Sequence, residues 1–120
     1  MIAGVGIDMV AIDRVKKAIQ NAHFYERVFS QEERTELAEK KAESVAACFC
    51  AKEAFGKALG CGVRGFSLSE VSLLHHENGQ PYLKLSGRAW ALAQSSGITQ
   101  FHASVSHTHH HAVCMVIAER

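Results

Sequence analysis

The chain has 120 residues, a length that one compact domain over 1–120 accounts for. Its 48% hydrophobic and 21% charged content is ordinary for a globular chain and allows one modest core. A net charge of +1 gives no overall field of the kind that marks a nucleic-acid binder, and no apolar run approaches the roughly 20 residues that span a bilayer.

Residues 2 to 10 form an apolar run containing Gly4 and Gly6. It predicts a buried first strand in which glycine permits close backbone approach. From Asp13 to about Ala22, Val15, Ala18 and Ile19 recur at helical spacing, with Arg14, Lys16 and Lys17 on the other faces. Ser30 followed by Glu33 is a capping-box pattern that opens a polar helix running to about Lys40. Glu43 to Leu59 is alanine-rich, lacks proline and ends at Gly60-Cys61-Gly62, a glycine stop for a long helix.

The stretch Glu70–His75 predicts a strand, Asn78-Gly79-Gln80-Pro81 a turn, and Tyr82–Leu85 the partner strand. Gly87 to Gln94 predicts a further helix released at Gly97. Phe101–Ser106 and Ala112–Ala118 predict a closing hairpin around a histidine-rich turn. Helices interleaved with antiparallel pairs make the class α+β, with an antiparallel sheet packed on a long central helix.

Early basic residues (Arg14, Lys16, Lys17, Arg27) precede a run of glutamates (Glu32, Glu33, Glu36, Glu39, Glu43). This reads either as a basic patch for an acidic partner or as two solvated helix faces. The four cysteines, Cys48, Cys50, Cys61 and Cys114, form no C-x-x-C pair, and the N-terminus lacks the basic region of a signal peptide. Reduced thiols in the cytoplasm are the expectation.

Two carboxylates stand out by context. Asp8 ends an apolar strand and Glu53 lies between Ala51 and Ala54 inside an apolar helix. Carboxylates are seldom buried unless paired or bound to metal, and hard oxygen donors suit magnesium. The plainer readings are a helix cap for Asp8 and an i,i+4 pair with Lys57 for Glu53. Lys52 and Lys57 flank Glu53, placed either to neutralise phosphates or to extend along the helix surface. His107, His109 and His111 alternate and would share one strand face, as a zinc, copper or nickel site requires. However, Thr108-His109-His110 falls where the hairpin should turn, which breaks the alternation.

The segment Gly6-Ile7-Asp8-Met9-Val10-Ala11-Ile12-Asp13-Arg14 resembles the G-x-D-x-V-x-x-x-R opening of bacterial holo-acyl-carrier-protein synthases. Phe49 to Gly60 resembles the same family's second signature, F-x-x-K-E-A-x-x-K-A. Phe29-Ser30 through Glu33, the Gly79-Gln80-Pro81 turn and Ser104-Val105-Ser106-His107 also agree in order and spacing.

The resemblance implies transfer of the 4′-phosphopantetheine arm of coenzyme A onto a serine of an acyl carrier protein, with magnesium, in support of fatty acid synthesis. It implies that Asp8 and Glu53 hold the metal, with Glu53 or His107 as the catalytic base. Lys57 and Lys52 would meet substrate phosphates. Gly60, Gly62, Arg64 and Gly65 would line the adenosine end, with His107 near the nucleotide or the reacting phosphate. Arg14, Lys17 and Arg27 would meet the acidic helix of the carrier. A homotrimer with coenzyme A between subunits is also implied. One departure is Cys48, where the family often has arginine. The rival expectations are a metal-binding module built on the histidine cluster and a non-enzymatic oligomer that docks a carrier protein.

Overall fold

The computed structural model describes residues 1–120. The chain runs β1 (Ile2–Ala11), α1 (Ile12–Ala18), α2 (Ala22–Val28), α3 (Gln31–Leu37), α4 (Ala42–Leu59), β2 (Val71–His75), β3 (Pro81–Leu85), α5 (Gly87–Ser95), β4 (Gln100–His107) and β5 (His111–Glu119).

The arrangement is organised by α4, whose buried face is built largely from small side chains: Ala46, Cys50, Ala51, Ala54 and Ala58. Such a surface lets backbone approach closely, and β1 does so. A Cβ on Gly6 would stand 1.9 Å from the Ala54 carbonyl oxygen, and one on Gly4 1.9 Å from that of Ala58. Because strand side chains alternate, Asp8 falls on the same face as Gly4 and Gly6 and is carried against the helix. The helix stops as its sequence predicts, with Gly60 in the left-handed region at φ 78° and its N–H returned to Gly56 and Lys57 carbonyls.

β1, β5 and β4 form an antiparallel sheet in that order, with Gly6 opposite Val116, Asp8 opposite Cys114 and His107 opposite Ala112. Its inner face, Ala112, Cys114, Val116 and Ala118, packs on α4. β2 and β3 form a separate hairpin. Phe55 joins this part to the helix, meeting the Phe66 ring edge-on at 5.1 Å and the Phe101 ring at 5.3 Å. Aromatic contacts of this kind contribute about 0.5–1.5 kcal/mol each beyond area burial.

Two expectations need correction. The first strand is buried on one face only: Val5, Ile7 and Met9 point outward and are more than half exposed. The helix expected to run to Ala22 ends at Ala18, and a second one follows, started by the Asn21 side chain accepting from Phe24 N at 3.1 Å. The capping box at Ser30 and Glu33 forms, but Glu33 is also fully buried. No helix is long and apolar enough to cross a membrane.

Candidate active site

Asp8 and Glu53 line one cleft of about 420 Å³ together with Met9, Val10, Arg14, Val15, Ala18, Phe24 and Phe49. On α4 the row Phe49, Glu53, Lys57 follows the i,i+4 spacing beside the Cys50–Ala54–Ala58 stripe that supports β1. Asp8 therefore arrives next to Glu53 by construction. The Asp8 side chain is 16% exposed.

Its neighbours are specific. Lys57 Nζ donates to Asp8 Oδ1 at 3.2 Å and to the Ile7 carbonyl at 3.0 Å. The Cys50 thiol lies under Asp8, donating to its carbonyl at 3.4 Å and to the Ala112 carbonyl at 3.3 Å. Burial, and next the Asp8 carboxylate, push the Cys50 thiol up to about 12, so it stays a neutral donor. Neither plain reading of the two acids holds. The residue capping α1 is Ala11, with no side-chain cap, and Lys57 is paired with Asp8 rather than with Glu53.

Burial, then repulsion from Asp8, raise the Glu53 carboxyl above the usual carboxylate range, opposed by Lys57. A raised acid favours the folded state while protonated and loses that contribution as pH rises through its folded value. Glu53→Gln is therefore expected to melt higher than the unaltered protein in chelator at neutral pH. The difference should shrink to nothing below the carboxylate range. Thermal melts across pH check it, and a Glu53→Gln protein melting lower at neutral pH would contradict it.

The chemistry of the donor set fits magnesium: two carboxylates facing one cleft, with an ammonium already acting as counter-charge on Asp8.

Lys52 is a correction. Its ammonium is fully buried, 2.5 Å from Glu33 Oε1 and 2.6 Å from the Val71 carbonyl, and does not reach the cleft where a substrate phosphate would lie. Burial pulls it below the usual lysine range, opposed by Glu33. The reason is helical phase: Lys52 follows Cys48 by four residues and precedes Phe55 by three, so it shares their buried face.

His107 does not join Asp8 and Glu53 within one chain. It lines a separate cavity of about 190 Å³ with Glu43, Ser44, Ala47, His75, Val105 and Ser106. Its Nδ1 lies 3.2 Å from the Thr108 carbonyl, an oxygen that can only accept. The histidine run turns between Thr108 and His110, and no three of its imidazoles gather as a metal-ligating set.

Gly60, Gly62 and Gly65 all have positive φ, and Gly62 packs so closely on Gly56 that a Cβ there would meet the Gly62 carbonyl at 1.8 Å. This loop, including the exposed Arg64, does not line the Asp8–Glu53 cleft. Arg14 does, although its expected role was at the carrier surface. Lys17 and Arg27 are exposed on α1 and α2. Cys48 is buried with its thiol 3.6 Å from the Leu73 carbonyl, leaving no cation at that position. The apolar wall of Phe24 and Phe49, ring centroids 6.5 Å apart, was not singled out from sequence, although Phe49 opens the second signature.

The family model of the 4′-phosphopantetheinyl transferase superfamily matches residues 4–114. The chain is 43% identical over 122 aligned positions to the holo-[acyl-carrier-protein] synthase of Clostridium acetobutylicum, covering 99% of this chain and 98% of that one. The fold is similar to the crystal structure of the Neisseria meningitidis holo-[acyl-carrier-protein] synthase, with TM-score 0.91, 30% identity and full coverage of both chains. It is also similar to the Helicobacter pylori holo-[acyl-carrier-protein] synthase in complex with coenzyme A, with TM-score 0.85 and 29% identity over 96% of this chain and 99% of that one. On this agreement, which runs nearly end to end and spans the stretches that hold Asp8 and Glu53, the chain belongs to the 4′-phosphopantetheinyl transferase superfamily.

Proposed function

We propose that this protein transfers the 4′-phosphopantetheine group of coenzyme A to a serine of an apo acyl carrier protein, releasing adenosine 3′,5′-bisphosphate, in support of fatty acid synthesis in the cytoplasm. The observation that carries the reading is the meeting of Asp8 and Glu53 in one cleft beside Lys57 and Arg14. The names of the aligned relatives and the coenzyme A bound by the Helicobacter pylori protein support the substrate class.

The serine oxygen attacks the phosphorus that bears the pantetheine arm. A new O–P bond forms, the bond from that phosphorus to the adenosine-side phosphate oxygen breaks, and the bisphosphate leaves. Transfer of this kind asks the protein mainly for positioning and charge stabilisation. Asp8 and Glu53 would hold magnesium, which when bound would supply charge neutralisation for the diphosphate and for the leaving oxygen. Lys57 swings from Asp8 to the diphosphate, a short movement for an ammonium on a flexible stem. Glu53, which faces the cleft, accepts the serine proton. Phe24 and Phe49 keep water from one wall of the cleft.

The assembly read with this function is a homotrimer. Val5, Ile7 and Met9 on β1, with Met115 on β5, make an outward apolar face that a second copy would cover. A neighbouring copy would also bring its His107 cavity and the Gly60–Gly65 loop to the nucleotide end, since neither reaches the cleft of its own chain. Arg14, Lys17 and Arg27 are the proposed contacts for the acidic carrier.

The experiment is incubation with apo carrier protein, coenzyme A and magnesium, followed by weighing the carrier by mass spectrometry. Gain of one phosphopantetheine arm is expected; an unmodified carrier sinks the reading and leaves a binding oligomer. Sedimentation of the same protein should give a trimer. Ile7→Asp should give a monomer with little transfer, and a fully active monomer would reject the assembly.

A further inference from the structure

Lys52 and Glu53 are consecutive, yet one is sealed in the interior and the other faces the cleft. Adjacent residues on an α-helix lie about 100° apart around its axis, so whatever fixes the direction of one fixes that of the other. Toward β1, Cys50, Ala54 and Ala58 give close approach to Gly4 and Gly6 through small side chains, and Cys50 and Lys57 add bonds to Asp8 and Ile7.

The opposite side is specified in detail. Glu33 Oε1 accepts from Lys52 Nζ at 2.5 Å and from Ser30 N at 3.0 Å, while Oε2 accepts from Leu73 N at 3.0 Å. Lys52 Nζ also donates to the Val71 carbonyl at 2.6 Å and stands 5.4 Å from the Phe29 ring centre. α3, α4 and β2 therefore meet at one pair of charges that are both 0% exposed, and no buried side-chain polar atom lacks a partner. A buried ion pair adds little net stability over an apolar pair of the same size, but in some proteins its directional bonds select one arrangement.

We propose that the buried Lys52–Glu33 pair is a positioning device for the reaction, locking the rotation of α4 about its own axis so that Glu53 faces Asp8. This rests on reading Asp8 and Glu53 as holders of one divalent ion.

The test uses two variants, Glu33→Gln and the double change Lys52→Met with Glu33→Leu, which removes both charges together. Val45→Ala is the control: Val45 is buried on the same helix, two turns from Lys52, makes none of the pair's hydrogen bonds and does not line the cleft. Binding of Mn²⁺ to coenzyme A-saturated protein is read by electron paramagnetic resonance at a temperature where circular dichroism shows each variant folded. Both variants are expected to bind Mn²⁺ about tenfold more weakly, the scale at which supporting residues around a metal act. Val45→Ala should bind it unchanged, even if its melting temperature falls as far. Unaltered Mn²⁺ affinity in either folded variant overturns the proposal. Failure of both variants to fold overturns it too, because the pair would then serve the whole core. If the unaltered protein binds no Mn²⁺, the metal-site reading itself has failed.

Discussion

Replacing Asp8 or Glu53 by alanine is expected to lower kcat/KM for carrier modification by about a thousandfold in each case. Charge stabilisation by a bound divalent ion supplies several kcal/mol to a transition state, and about 4 kcal/mol corresponds to three powers of ten. The two losses should not add. Each carboxylate is useful only while the other shares the ion, so the double variant should resemble the worse single one. Rates of holo-carrier formation over a range of magnesium concentrations provide the measurement. Either variant turning over at the parent rate with the same magnesium dependence would contradict the assignment. Both variants should remain folded: Asp8 and Glu53 are neither fully buried nor part of a helix cap, and Glu53 carries a penalty from its neighbour.

Gly6→Ala should do nearly as much damage without touching an acidic group. The new Cβ would lie 1.9 Å from the Ala54 carbonyl oxygen and 2.6 Å from the Ala58 nitrogen, both backbone atoms that cannot turn aside. β1 must then lift from α4. Overpacking of this kind costs about 2–3 kcal/mol, which lowers the melting temperature by roughly 10 °C for a chain of this size. Asp8, two residues further along the strand, moves with it. A displacement near 1 Å at a catalytic group costs on the order of a hundredfold in rate. Thermal melts and transfer rates test the two effects separately. A Gly6→Ala protein that melts and turns over like the parent would show that the glycines do not set the strand-to-helix distance.

These two expectations show how far the primary structure reaches. The pairing of Gly4 and Gly6 with an alanine-rich helix announces close packing, and Asp8 lies on the glycine face by simple alternation. The Gly60 stop, the Ser30 capping box and the hairpin turn at Gly79 were equally legible, because each depends on residues within a few positions. What was misread depends on phase or on distant neighbours. Lys52 and Lys57 look alike beside Glu53, yet five positions amount to about 500° of helix rotation, and only one of the two falls between Cys48 and Phe55. That signal was present in the spacing and was outweighed by the expectation that lysines near a metal ligand meet phosphate.

The outward face of β1 is a different case. A continuous apolar run suits a strand buried on both sides, and nothing within the chain distinguishes burial by the protein's own helices from burial by another copy. The separation of His107 from Asp8 was equally hidden: the two lie about a hundred positions apart, and no local pattern tells whether they line one cavity or two. α2 was missed because its start rests on one Asn21 side-chain bond and its apolar periodicity is short.

The central claim is that one divalent ion is shared by Asp8 and Glu53. Counting Mn²⁺ bound per chain in coenzyme A-saturated protein addresses it most directly. One ion per chain is expected, lost in Asp8→Ala and equally in Glu53→Ala; retention of that ion with unchanged affinity in either variant would contradict the claim.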